Sequence, residues 1–180
     1  MRNCNDFNIH LLDEKTIHNF LPNLRRDLDN KLSIPQKADY YRYQLLYTYG
    51  GIWLDSDIIV FKSLEPLMEK LDKYDYIGSG CNYNNCNKTG YPKPSNWMMI
   101  SKKNTKFMKM CIDESDRIIN SSKDINYHKL GRELLWKNIN ILKRSGWDYY
   151  HLSSICMERD SNNVKSVSYT HLTLPTIAGG

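Results

Sequence analysis

Residues 49–57 of this chain read YGGIWLDSD, and this stretch decides the fold. An apolar segment, Ile52–Leu54, follows two glycines and ends at two aspartates, Asp55 and Asp57. Because side chains two residues apart point to the same side of an extended strand, the spacing predicts two carboxylates on one face. Such carboxylates repel each other unless a cation lies between them, and Mg²⁺ and Mn²⁺ prefer oxygen ligands. The stretch therefore predicts a metal–phosphate site at a strand end, with a solvated pair of turn aspartates as the alternative.

The segment before the glycines is predicted to be a helix over residues 36–49. Apolar side chains recur in it at helical spacing, with Pro35 before it and Gly50 after it as start and stop signals. Asp39 and Arg42 are three residues apart and therefore share a face of this helix. They form either an exposed ion pair, which would stabilise the helix by about 0.2–0.5 kcal/mol, or part of the site at the strand end.

The stretch Ala38–Asp57 closely resembles the DXD sugar-binding region of one group of glycosyltransferases. The group includes transferases related to yeast mannosyltransferases, capsular polysaccharide synthesis transferases and the large clostridial glucosylating toxins. Its pattern is a small residue, Asp, two residues and Arg, followed by Leu-Tyr-x-x-Gly-Gly-Ile-Tyr-Leu-Asp-x-Asp, and this chain departs from it at Trp53, where Tyr is usual. The resemblance, direct over residues 37–66, implies an A-type glycosyltransferase fold. That fold is an α/β fold with a Rossmann-like domain that binds a nucleotide-sugar and a divalent metal.

The resemblance also implies roles for five side chains. Asp57 would bind Mn²⁺ or Mg²⁺ directly, and Asp55 would contact the metal through water or bind the ribose of the nucleotide. Asp39 and Arg42 would hold hydroxyls of the donor sugar, since a carboxylate and a guanidinium both form charge-assisted hydrogen bonds. Asn96 would contact the donor or acceptor, although an Asn that merely ends a loop fits this position equally well. No catalytic base is assigned, because this group transfers with retention and often lacks an obvious enzymic nucleophile.

The function implied by the resemblance is metal-dependent, retaining transfer of a hexose from a UDP- or GDP-sugar to a hydroxyl acceptor on a glycan, lipid or protein. A divalent cation would stabilise the negative charge that builds up on the departing nucleoside diphosphate. One alternative is a non-catalytic, truncated nucleotide-sugar-binding remnant. Another is a phosphohydrolase of the haloacid dehalogenase type, with Asp55 as nucleophile and Asp57 as general acid. That family usually has Thr or Gly where this chain has Ile59.

The length of 180 residues suggests one domain, and residues 1–165 are interpreted as a partial glycosyltransferase catalytic domain. Members of the family usually begin with a strand that reads roughly Ile-Pro-Lys-Ile-Ile-His-x-x-Trp. This chain begins near Asn8–Asp13, which resembles the second strand, so we expect the first strand to be missing. Residues 166–180 resemble the conceptual translation of a sequencing adapter and are interpreted as non-native.

Charge and composition exclude some classes of protein. The formal net charge is +5, but Lys and Arg are interspersed with Asp and Glu, so nucleic-acid binding is not predicted. The five cysteines lack the paired spacing of a zinc site. No signal peptide or transmembrane segment is recognisable. A membrane anchor often precedes the domain in this family, so membrane association through a missing segment, or a cytoplasmic or Golgi location, stays open.

The rest of the chain alternates in type, as an α/β domain should. The predicted elements are a helix over 66–71, a strand over 74–78, a polar loop over 81–96, a strand over 97–100, a helix over 104–120 capped by Asn104, a helix over 130–139 and a strand over 149–152.

Overall fold

The computed structural model describes residues 7–58, 60, 62–81, 94–122, 124–154 and 176–179. The strands in these ranges are β1 (Asn8–Leu11), β2 (Gly51–Leu54), β3 (Tyr76–Cys81), β4 (Pro94–Ser101), β5 (Tyr150–Ser154) and β6 (Thr176–Gly179). The helices are α1 (Ile17–Phe20), α2 (Leu28–Lys31), α3 (Ile34–Tyr49), α4 (Glu65–Met68), α5 (Lys106–Ser121) and α6 (Arg132–Lys143), and a 3₁₀ helix at Glu69–Asp72 follows α4.

The strands form one mixed sheet in the order β1–β6–β2–β4–β3–β5. Every pairing is antiparallel except that of β3 with β5. On one face, Trp53 and Met99 belong to the core formed with α3, α5 and α6. On the other face, Ile52 and Ile100 pack with Leu71 and other residues near α4. Because strand residues alternate between faces, the buried strands contribute side chains to a core on each side of the sheet. This mixed α/β architecture is consistent with the Rossmann-like fold expected from the sequence.

Helix α3 and strand β2 confirm the central part of the sequence interpretation. The helix begins at Ile34 rather than residue 36, because Pro35 lies in the first turn, where a missing N–H costs nothing. The backbone N–H and hydroxyl of Ser33 both donate to Oε1 of Gln36, at 2.9 Å each. At the other end Gly50 has a φ of 71°, and a Cβ there would lie 2.8 Å from a backbone nitrogen. Only glycine fits this tight turn from helix into strand.

Two boundary predictions are wrong. Thr105, not Asn104, caps α5, since its hydroxyl accepts from the N–H of Met108, while Asn104 adopts a positive φ of 58°. The polar loop predicted to run to residue 96 ends earlier, because β4 begins at Pro94 and includes Asn96. Most of that loop, residues 82–93, lies outside the described residues, as do Ile59 and Phe61.

The remaining elements differ from prediction only in their ends. The predicted helices over 66–71 and 130–139 correspond to α4 with the 3₁₀ helix and to α6, and the strands over 74–78 and 149–152 correspond to β3 and β5. The short helices α1 and α2 were not predicted. No described helix is long and apolar enough to cross a bilayer.

The chain near its carboxyl end contributes a strand to the sheet. Residues 176–179 form β6, which pairs antiparallel with both β1 and β2. Residues 166–180 resemble a sequencing-adapter translation and were expected to have no part in the fold, so this pairing adds a strand that the sequence pattern does not predict. The other residues of that segment lie outside the described ranges.

Candidate functional site

The side chain of Arg42 occupies the centre of the predicted site. It is buried on α3, and its Nε donates to the carbonyl of Ala38 one turn earlier, at 3.2 Å. The guanidinium lies over the ring of Trp53, 5.0 Å from the ring centroid. Trp53 faces α3 because it alternates with Ile52 and Leu54, which point to the other side of β2. The cation is therefore held by its own helix and by an aromatic face of the sheet.

Arg42 joins three of the other predicted site residues. Its Nη2 lies 3.1 Å from Oδ1 of Asp39, and its Nη1 lies 3.5 Å from Oδ1 of Asp55. Nη1 also donates to the carbonyl oxygen of Asn96. The interpretation of Asp39 and Arg42 as an exposed ion pair is wrong, since both side chains are buried. A buried pair of this kind is held by a polar network, and breaking it is costly.

Asp39 is the most enclosed of the three carboxylates. Its side chain is 11% exposed, and Nδ2 of Asn96 donates to its Oδ1 at 2.6 Å. Gly131, just before α6, closes the far side, because a Cβ there would lie 2.8 Å from both Oδ2 of Asp39 and Nδ2 of Asn96. Burial raises the pKa of Asp39 to about 6, with Asp55 adding to the shift while Arg42 and Asn96 oppose it.

Asp55 and Asp57 lie in a turn rather than on an extended strand. The N–H of Asp55 still donates to the carbonyl of Trp97 at 2.8 Å, but the N–H of Ile58 then donates back to the carbonyl of Asp55 at 3.1 Å. The premise that both side chains share a strand face is therefore wrong, because β2 ends at Leu54.

The two aspartates also differ in their surroundings. Oδ1 of Asp55 accepts from Nε1 of Trp53 at 2.9 Å, and burial raises the pKa of Asp55, with the neighbouring charge of Asp57 acting in the same direction. Asp57 is exposed and forms no hydrogen bond or ion pair with the residues that the structure describes. The carboxylate of Asp55 is thus held in place, while that of Asp57 is exposed and accessible to an ion or ligand from solvent.

Strand direction explains why Asn96 meets the end of β2. β2 pairs antiparallel with the second half of β4, and its last residue, Leu54, lies opposite Met98, so the first half of β4, with Asn96, continues past the end of β2. The register between β3 and β4 shifts between Gly78 and Ser79, which leaves residues 96–98 unpaired with β3. Irregularities of this kind re-aim side chains near functional sites. The structure thereby brings together Asp39, Arg42, Asp55 and Asn96, with Asp57 at the exposed side.

The donor set suits a metal that is shared with a phosphate ligand. Among the described residues there is no group of three or more His, Cys, Asp or Glu side chains that could hold a metal by itself. Asp55 and Asp57 offer two hard oxygen donors, and Mg²⁺ commonly binds through one or two carboxylates together with substrate phosphates and water. The residues therefore fit a metal–diphosphate complex better than a metal held by protein alone.

Comparison with known proteins identifies the family. A family model described as "Capsular polysaccharide synthesis protein" matches residues 1–125. The chain belongs to the capsular polysaccharide synthesis family. No curated protein and no solved structure matches the chain. Membership supports a glycosyltransferase-related role in capsule synthesis, with a sugar donor and a glycan acceptor in general terms. The matched residues include α3, β2, β4 and all five predicted site residues of this chain.

Sequence reasoning missed two residues that shape the site. Trp53 was noted only as a departure from the usual Tyr, yet its indole both supports Arg42 and donates to Asp55. The replacement of Tyr by Trp could have indicated this role, because an indole N–H buried at a strand end needs a hydrogen-bond acceptor. Gly131 lies far along the chain and outside the family match. No local pattern distinguishes it from an ordinary glycine before a helix.

Proposed function

We propose that this member of the capsular polysaccharide synthesis family is a metal-dependent, retaining glycosyltransferase. It would transfer a hexose from a UDP- or GDP-sugar to a hydroxyl acceptor on a glycan, lipid or protein. One observation carries the proposal: buried Arg42 bridges Asp39 and Asp55, next to Asn96 and to the exposed Asp57. Family membership supports the same class of reaction.

The donor sugar is proposed to bind at Asp39, Arg42 and Asn96. With a pKa of about 6, Asp39 is mostly ionised at neutral pH and accepts hydrogen bonds from sugar hydroxyls. Arg42 is held in place by Ala38 and Trp53, so little side-chain entropy remains to be lost when a hydroxyl binds. The Asn96 amide, already oriented by Asp39, would add a contact to the donor or acceptor.

Asp57 and Asp55 are proposed to hold Mn²⁺ or Mg²⁺ together with the donor diphosphate. When bound, the cation supplies Lewis-acid stabilisation of the charge that develops on the departing nucleoside diphosphate. Asp57 is exposed and unpaired among the described residues, so it can bind the cation directly. Asp55 is fixed by Trp53 and Arg42, and this fixed position favours contact through water or with the ribose.

Release of nucleoside diphosphate tests the proposal. The full chain would be incubated with UDP-glucose or GDP-mannose and Mn²⁺, alone and with methyl glycosides as acceptors, and UDP or GDP would be measured. We expect release from one donor, dependent on Mn²⁺ and lost in Asp57→Asn. Binding of a donor without release would instead indicate a nucleotide-sugar-binding protein. Hydrolysis of p-nitrophenyl phosphate without donor turnover would indicate a phosphohydrolase.

A further inference from the structure

A cavity lies on the opposite side of α3 from the candidate donor site. Its volume is about 750 Å³, and residues 20–25, α3 and α5 form its walls. Ligand pockets in proteins usually enclose about 300–1,000 Å³, so the cavity can hold a small organic ligand. Tyr40 and Gln44 face it from α3, whereas Asp39 and Arg42 point to the donor site. At about 100° per residue, these two pairs lie on nearly opposite helix faces, and the two sites are therefore separate.

A fixed network of polar side chains forms one wall of this cavity. The guanidinium of Arg25 donates to Asp27 at 2.6 and 2.7 Å, to Oδ1 of Asp116 at 2.8 Å and to Oδ1 of Asn120 at 2.7 Å. The hydroxyl of Tyr40 donates to the same Asp116 oxygen at 3.0 Å, and Gln44 Nε2 donates to that hydroxyl at 2.9 Å. The side chains are thus held in position before any ligand arrives.

Three polar groups of this wall have no partner among the residues that the structure describes. They are Oδ2 of Asp116, Oε1 of Gln44 and Nδ2 of Asn120, which supply two acceptors and one donor. Arg25 has only one N–H left, on Nη1, because its other four donate to Asp27, Asp116 and Asn120, and two carboxylates already offset its charge. A phosphate would therefore meet an open carboxylate oxygen beside a cation whose charge Asp27 and Asp116 already offset, whereas neutral hydroxyl groups match both acceptors and the donor.

The other wall is apolar and includes an exposed aromatic ring. Tyr49 is 51% exposed, although its hydroxyl donates to the carbonyl of Phe20 at 2.7 Å and its ring packs edge-on against the ring of Phe20. Leu21 and Pro22 continue this surface. A fixed, solvent-facing ring beside planar polar side chains suits a sugar, which presents C–H groups on one face and hydroxyls at its edge.

From this combination we infer that the cavity between residues 20–25, α3 and α5 binds a neutral saccharide unit. The ring of Tyr49 packs against the C–H face of the sugar. Asp116 and Gln44 accept hydrogen bonds from its hydroxyls, and Asn120 donates one. Such a site would hold a sugar on the opposite side of α3 from the candidate donor site. The inference itself does not depend on the proposed transferase activity, because it concerns binding alone.

Saturation-transfer NMR with the full chain tests the inference. The probes are the methyl glycosides of glucose, galactose, mannose and N-acetylglucosamine, added without nucleotide or metal. We expect saturable binding of at least one probe, weakened about tenfold in Tyr49→Ala, because the ring is the main contact surface. Asn120→Ala, at an exposed position, should weaken the same probe without altering the core. Tyr127→Ala is the matched control, since Tyr127 is 61% exposed and lies outside the cavity.

The NMR results either support or overturn saccharide binding in the cavity. Loss in Tyr49→Ala and Asn120→Ala with no change in Tyr127→Ala supports it, provided that circular dichroism shows each variant folded. Absence of saturable binding by the folded chain overturns it. Binding that is unaffected by both cavity variants also overturns it, because the sugar would then occupy another place. Neither result depends on Asp57 or on metal, so failure here is distinct from failure of the proposed transferase activity.

Discussion

Nη1 of Arg42 lies 3.5 Å from Oδ1 of Asp55, so a buried cation on helix α3 faces the aspartate that follows strand β2. The same guanidinium pairs with Asp39 on its own helix. Each carboxylate is partly removed from water, and each has a raised pKa because burial disfavours its charge. Arg42 is therefore the cation that offsets the cost of removing both carboxylates from water.

Arg42→Ala should be strongly destabilising, because it leaves the buried carboxylate of Asp39 and the partly buried carboxylate of Asp55 without their cation. We expect a loss of about 3–5 kcal/mol in the free energy of unfolding, measured by urea denaturation. Arg117→Ala is the matched control, since Arg117 also pairs with a residue three positions away but is 61% exposed. It should cost less than about 1 kcal/mol. Similar losses in the two variants would contradict the role of Arg42.

Asp39→Asn should change how stability depends on pH. The folded-state pKa of Asp39, about 6, is above its ordinary value of 3.8, so the folded state binds this proton more tightly than the unfolded state does. The resulting stabilisation is complete below about pH 4 and is lost as the pH rises through 6. The wild-type chain should therefore lose up to about 3 kcal/mol relative to Asp39→Asn between these limits.

Urea denaturation of both proteins at several pH values between about 4 and 7 measures this difference. A difference in unfolding free energy that stays constant with pH would contradict the raised pKa. A change of the opposite sign, with the wild type gaining relative stability as the pH rises, would indicate that Arg42 dominates over burial.

Gly131→Ala should disturb the candidate site directly. Its Cβ would meet Asp39 and Asn96 at 2.8 Å, and relieving that overlap should cost about 1–3 kcal/mol and weaken donor binding. Gly146→Ala is a useful comparison, because its φ of 82° strains any other residue by about 1–2 kcal/mol while the space around it is open. Both variants should lose stability, but only the first should lose affinity for the donor. Equal donor affinities in Gly131→Ala and Gly146→Ala would contradict donor binding at Asp39 and Asn96.

Trp53→Phe separates the two contacts of the indole. Phenylalanine retains a ring beneath Arg42 but lacks the N–H that donates to Asp55. We expect a loss of about 1–3 kcal/mol in the free energy of unfolding, from the smaller volume and the lost hydrogen bond, together with weaker donor binding because Asp55 is no longer oriented. Unchanged donor affinity in a destabilised variant would show that this hydrogen bond serves the fold alone.

The stretch around the double glycine was predictable because its signals are local. Helical periodicity ended at Gly50, and a short apolar run followed, so α3 and β2 could be assigned from the sequence. The spacing of Asp39 and Arg42 correctly placed them on one helix face. What spacing could not supply was their burial, because that depends on β2 and β4 packing over the helix.

The missed features all depend on contacts between distant segments. Asn96 was assigned to a loop because polar residues surround it, whereas it lies within β4, between residues that pair with β3 and residues that pair with β2. The chain turns after Leu54, so Asp55 and Asp57, the two carboxylates that were expected to share a strand face, lie outside β2. Gly131 reaches the site only through the position of α6. Contacts between segments distant in the sequence determine each of these three features, and local sequence patterns do not indicate such contacts.

Calorimetric titration of the full chain with UDP-glucose and GDP-mannose, each with and without Mn²⁺, measures whether Asp57 and a metal hold the nucleotide-sugar. We expect that one donor binds only when Mn²⁺ is present. We also expect that Asp57→Asn abolishes this binding while leaving the free energy of unfolding unchanged, because Asp57 is exposed and unpaired among the described residues. Donor binding that persists in Asp57→Asn, or no binding by a folded chain with Mn²⁺ present, would contradict metal-dependent donor binding at Asp57.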